Sequence, residues 1–119
     1  MESYSQGNTK NKWEELEGWL ERQADRQAEY AEAETDKTIR MIHIGSMIGL
    51  LQCKKRCDRY TTDLVEKLKE EERIARREKL LCRIGNFTQE ENLIIGKQIC
   101  NEIEQVIQIV ELLEKVRGI

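Results

Sequence analysis

From residue 13 onward the apolar positions recur at helical spacing. Trp13, Leu16 and Leu20 lie three and four apart, and Ala24, Ala28 and Ala31 continue near the same face. The stripe is thin and Trp19 lies off its centre. A helix over residues 10–34 must therefore dock through its first turns or pair with another element. Residues 1–9 read as a polar, flexible tail.

The next run is much richer. Ile39, Met41, Ile42, Ile44, Met47, Ile48, Leu50 and Leu51 cover more than half of a helix circumference, which marks residues 36–57 as the buried central helix. Thr35 or Asp36 suits its N-cap, with an uninterrupted helix through this point as the alternative. Gly45 and Gly49 sit four apart on one face. Each costs about 1 kcal/mol against alanine in a helix interior. Close approach of a second backbone would compensate, so the pair predicts a helix crossing.

A third helix is expected over residues 61–84, capped by Thr61 or Thr62. Leu64, Leu68, Ala75 and Cys82 form its apolar line, with Val65, Leu80, Leu81 and Ile84 beside it. Its middle is mostly charged, with Asp63–Lys67 and Glu72–Arg76 at i,i+4 and Glu66–Lys69 and Glu70–Arg73 at i,i+3. Gly85 suits the left-handed position that ends a helix, and Thr88 with Glu91 forms a capping box for the next. So short a connection predicts an antiparallel pair. In the last helix, residues 89–116, Ile99, Ile103, Val106, Val110 and Leu113 follow at four, three, four and three. That is a seam of about two heptads. Ile95, Cys100, Ile107, Ile109 and Leu112 broaden it, which implies more than one neighbour. A homodimer burying the Ile99–Leu113 seam across a two-fold axis is the expected use of the surplus.

Composition agrees with the pattern. The 119 residues include no proline, where average usage gives about six, so nothing interrupts long helices. Charged residues make up 36% and aromatics 5%, which favours elongated helices over an α/β core. The fold class is all-α: an elongated hairpin or bundle of three to four helices with coiled-coil-like packing, in one domain over 10–119. The apolar run 39–51 is broken by Arg40, His43 and Ser46 and falls short of the roughly 20 residues a membrane span needs. Neither a secretory signal nor a lipidation motif is visible. A cytoplasmic protein with free thiols and no membrane partner is expected.

The net charge of −3 hides three blocks. Residues 1–36 hold ten acids and four bases, residues 37–85 seven acids and thirteen bases, and residues 86–119 six acids and three bases. The basic middle could meet nucleic acid, or pair with the acidic ends of this chain or of a second copy.

Candidate chemistry is sparse. Cys53 and Cys57 share a helix face at i,i+4, a spacing open to metal or redox use, but no second close pair of ligands accompanies them. Buried free thiols, with no metal and no cofactor, are the expectation. His43, the only histidine, has Ser46 at i+3 but no sign of an activated nucleophile, and reads as a polar residue on the rim of the central helix. Adjacent acids such as Glu14-Glu15 and Glu70-Glu71-Glu72 point different ways on a helix. There is no phosphate loop, no zinc-protease motif and no nucleophile elbow. No enzyme is expected.

Two binding surfaces remain. The acids Glu14, Glu15, Glu21, Asp25, Glu29, Glu32 and Glu34 could fill a basic channel on a host protein. That is the action expected of a small inhibitor or adaptor from a phage or mobile element, for which reversal of Glu29, Glu32 and Glu34 is the natural test. The alternative is a nucleic-acid-binding accessory or regulator acting through Lys54, Lys55, Arg56 and Arg59 and through Arg73, Arg76 and Arg77. Against it, acids are interleaved with these bases, and Tyr60 is the one aromatic near the first cluster.

Overall fold

A computed structural model describes residues 13–57, 63–78 and 87–117, except for the Arg117 side chain. Among these residues there are four helices and no strand: α1 (Glu14–Ala33), α2 (Lys37–Lys55), α3 (Leu64–Glu78) and α4 (Gln89–Arg117). The all-α bundle read from the sequence is what forms. It is elongated, 55 × 29 × 23 Å. No helix among the described residues is long and apolar enough to cross a membrane.

Three of the four helices start at a side-chain cap. α1 and α2 are separate helices, and α2 is capped by Asp36 rather than Thr35: the Asp36 carboxylate accepts the Ile39 N–H at 3.0 Å. At α4 the capping box closes as expected. The Thr88 N–H donates to the Glu91 carboxylate (2.8 Å), and the Glu91 N–H donates to the Thr88 hydroxyl (3.1 Å). The start of α3 differs from expectation. Its cap is Asp63, whose carboxylate accepts the Glu66 N–H at 3.2 Å, and the helix begins at Leu64 rather than residue 61. The sequence spacing offers Asp63 as a partner for Lys67 four residues on. A carboxylate ranks above threonine as an N-cap, and it favours the helix N-terminus. The expected caps Thr61 and Thr62, the loop glycine Gly85, residues 79–84 of the third helix and residues 10–12 of the first lie outside the described residues.

The helices stack in the order α1, α2, α4, α3, and α1 approaches only α2. Lys54 pairs with Glu21 and His43 meets Gln27, so α1 and α2 run antiparallel. Gly45 lies against Ile95 and Gln98, and Gly49 against Ile99 and Glu102, so α2 and α4 run parallel. Lys69 with Glu111 and Arg76 with Glu104 make α3 antiparallel to α4, as the short connection predicts. One hydrophobic cluster joins all four helices, from Trp13, Leu16, Leu20 and Ala24 through Met41, Leu50 and Cys53 to Leu64, Val65, Leu68 and the α4 residues.

The α2–α4 contact depends on the two glycines. A Cβ on Gly45 would stand 2.6 Å from Gln98 Cβ and 2.8 Å from the Ile95 carbonyl oxygen. On Gly49 it would stand 2.8 Å from Glu102 Cβ and 3.1 Å from the Ile99 oxygen. The crossing inferred from their spacing is present.

The seam of α4 is filled from within the chain. Ile99, Ile103, Val106 and Val110 are buried in the common core, and Leu113 packs against it half-buried. Helices α2 and α3 supply the multiple neighbours that the width of the stripe implied. The dimer expectation therefore loses the exposed face that motivated it. Conversely, α2 is central but not wrapped all round, since Ile39, Ile42 and Leu51 are about two-fifths exposed, at 43, 38 and 38%.

Candidate functional site

The charge blocks meet inside the chain. Lys54 on α2 pairs with Glu21 on α1, which holds the Glu21 carboxyl below its ordinary pKa and lifts that of Lys54. Arg56 reaches Glu71 (2.7 Å) and Glu70 (3.8 Å) on α3. Lys69 lies between Glu66 (3.9 Å) and Glu111 (4.0 Å), and Arg76 between Glu72 and Glu104. Exposed pairs add little stability each. Three of them, Lys54 with Glu21, Lys69 with Glu111 and Arg76 with Glu104, link the basic middle to an acidic end.

This pairing sorts the basic candidates. Lys54, Arg56 and Arg76 are engaged within the chain, while Lys55, Arg73 and Arg77 are exposed. Arg73 and Arg77 share the outer face of α3 with Glu66 and Glu70, so that face is acidic over its first half and basic over its second. Arg59 lies outside the described residues. The basic residues do not form one continuous phosphate track among the described residues.

The acidic candidates form a more continuous surface. Glu14, Glu21, Asp25, Glu29 and Glu32 fall within one side of α1, all exposed, opposite the buried line Leu16, Leu20, Ala24 and Ala31. Glu15 is exposed to one side. Glu34 has a local structural duty instead. Its carboxylate accepts the Asp36 N–H at 3.0 Å, and its carbonyl accepts Arg40 through Nε (3.1 Å) and Nη2 (2.6 Å). That role was hidden in the sequence because it depends on the turn between α1 and α2.

The remaining polar groups support packing. His43 Nδ1 is 2.7 Å from Gln27 Oε1, and its ring meets Tyr30 at 5.4 Å, at the rim of α2 as read. Ser46 is buried, and Gln98 Nε2 donates to its hydroxyl at 2.9 Å. Glu102 is half-buried, and burial pushes its carboxyl above its ordinary range, with Ser46 acting in the opposite direction. A raised carboxyl pKa means that the folded chain holds the proton more tightly. The associated stability is full below the unfolded value of about 4.3 and is lost as pH rises through the folded value. Glu102→Gln keeps the side-chain shape and removes the charge. It is expected to stabilise the chain at neutral pH, with the gain shrinking towards about pH 4, where the unfolded carboxyl itself protonates. Urea melts at the two pH values check this, and a loss of stability at neutral pH would contradict it.

Cys53, Cys57 and Cys100 are buried. The Cys57 thiol donates to the Cys53 carbonyl at 3.6 Å, and burial raises Cys57 to about 12. Burial raises Cys53 as well, helped by its neighbour Cys57. Thiolate is the reactive form, so both are chemically quiet in the fold. Iodoacetamide is expected to modify Cys53 and Cys57 only as fast as the fold opens, read by peptide mass mapping. Rapid labelling of either in native buffer would contradict the burial. Among the described residues no three His, Cys, Asp or Glu side chains converge on a point that could hold a metal; Cys82 lies outside them.

No family model matches the chain, and no curated protein or solved structure matches it.

Proposed function

We propose that this chain is a non-enzymatic helical interaction protein, of a phage or mobile element, that binds a host protein through the acidic outer face of α1 and so inhibits or adapts it. The supporting observation is the exposure of Glu14, Asp25, Glu29 and Glu32 along one side of α1, with no ion pair to any of them among the described residues. Such a face complements a basic surface, and complementary charge speeds encounter and selects the partner. A protein that normally holds nucleic acid in a basic channel fits this chemistry.

The test is a pull-down from the natural host with the wild type and with Asp25→Lys/Glu29→Lys/Glu32→Lys. Asp25 replaces Glu34 in this set because altering Glu34 would disturb the α1–α2 turn. Loss of one specific partner in the triple variant is the expected result, and equal capture by both proteins would refute it. The nucleic-acid reading has only Lys55, Arg73 and Arg77 to draw on among the described candidates. It predicts DNA or RNA affinity that weakens steeply with salt, and absence of affinity at low salt removes it.

A further inference from the structure

Between α1 and α2 lies an open cleft of about 440 Å3, lined by Ala28, Ala31, Glu32, Arg40, Ile44 and Met47. It exists because α1 presents two alanines there, whose side chains stop at Cβ. Ile44 lines it, and Ile48 and Leu51 follow on the same face of α2 at i+4 and i+7; Ile44 and Ile48 are half-buried and Leu51 is exposed. That is the spacing at which one helix receives another. On α1 the lining includes Glu32, and Asp25 and Glu29 precede it on the same acidic side of the helix, all exposed. Arg40, the one base in the lining, already donates to the Glu34 carbonyl.

We propose that this cleft is the docking site for an amphipathic helix of the protein partner. Its apolar residues would lie on Ile44, Met47, Ile48 and Leu51, and lysines or arginines along one flank would face Asp25, Glu29 and Glu32. This rests on the acidic-face reading above and adds the shape of what is bound. The charge selects the occupant. A second copy docking through its α1 would set carboxylates against carboxylates, whereas a basic flank is complementary.

The probe is a synthetic helix of about 18 residues, about 27 Å long, with leucines at i, i+4 and i+7 and lysines on one flank. A control peptide keeps the leucines and carries glutamates on that flank. Titrated against the full chain, the lysine peptide is expected to bind at one site and the glutamate peptide at least tenfold more weakly. Ala28→Tyr fills the cleft without changing charge and is expected to weaken the lysine peptide at least tenfold while leaving thermal melting unchanged. Equal binding of the two peptides, or unaltered binding by Ala28→Tyr, overturns the proposal. So does a concentration-dependent dimer that Ala28→Tyr abolishes, since the cleft would then belong to a second copy. In the host pull-down, a partner lost from the triple lysine variant but kept by Ala28→Tyr leaves the acidic-face reading standing and removes the cleft. A partner kept by both removes both.

Discussion

Gly45→Val is expected to destabilise the chain by about 1–3 kcal/mol, the range for forcing extra volume into a packed contact. The atoms its Cβ would meet are Gln98 Cβ and the Ile95 carbonyl oxygen, at 2.6 and 2.8 Å. Neither is the far end of a flexible side chain, so α2 and α4 must move apart. Both helices place buried residues elsewhere in the core, and a shift at the crossing therefore spreads. The opposing effect, relief of the glycine helix penalty, reaches about 1 kcal/mol for alanine and is less for valine. Gly18 supplies the contrast. A Cβ there meets only the Arg22 guanidinium at 3.3 Å, and Gly18→Ala is expected to stabilise by about 0.5–1 kcal/mol. Urea unfolding of the variants measures both signs. If Gly45→Val matches the wild type, the helices do not cross at the glycines.

The glycine pair was legible because a helix-breaking residue repeated at i,i+4 needs a reason, and few reasons other than close approach exist. The Thr88–Glu91 box was legible for the same kind of reason: both partners are local, so spacing determines geometry. Buried positions on α1 followed from the three-and-four rule alone. What stayed hidden depends on distant residues. The width of the α4 stripe correctly implied several neighbours, yet periodicity cannot distinguish a neighbour in the same chain from one in a second copy. Asp63 offered both a cap and an i,i+4 pair, and the stronger local bond won. The charge blocks announced an interaction without naming its direction. Lys54 with Glu21, Lys69 with Glu111 and Arg76 with Glu104 place part of that interaction inside the fold, and thereby thin the basic surface while leaving Asp25, Glu29 and Glu32 facing outward. The cleft between α1 and α2 had no sequence signature, because Ala28 and Ala31 look like the weak continuation of a core stripe.

Ile103→Asp carries the largest expected effect. Ile103 is fully buried in the core shared by α2, α3 and α4. Aspartate removes a large apolar side chain, at a cost of about 2–5 kcal/mol for comparable truncations. It also buries a carboxyl, which costs more unless the group is paired or protonated. The sum exceeds about 4 kcal/mol, against a total stability of about 5–15 kcal/mol for an ordinary domain. The expected result is loss of most helical circular dichroism at room temperature, or a transition at much lower urea. Ile103→Val, which keeps the site apolar, should cost only about 0.5–1.5 kcal/mol. This pair separates two meanings of the α4 seam. If the seam is this chain's own core, Ile103→Asp unfolds the monomer. If instead the seam faced a second copy, Ile103→Asp would yield a folded monomer in place of a dimer, read by sedimentation with unchanged circular dichroism. Leu112, on the same helix but 58% exposed, tests the outer surface without entering the core. Leu112→Asp should therefore leave folding intact, and any change in sedimentation it produced would place association on the outer side of α4 rather than in the seam.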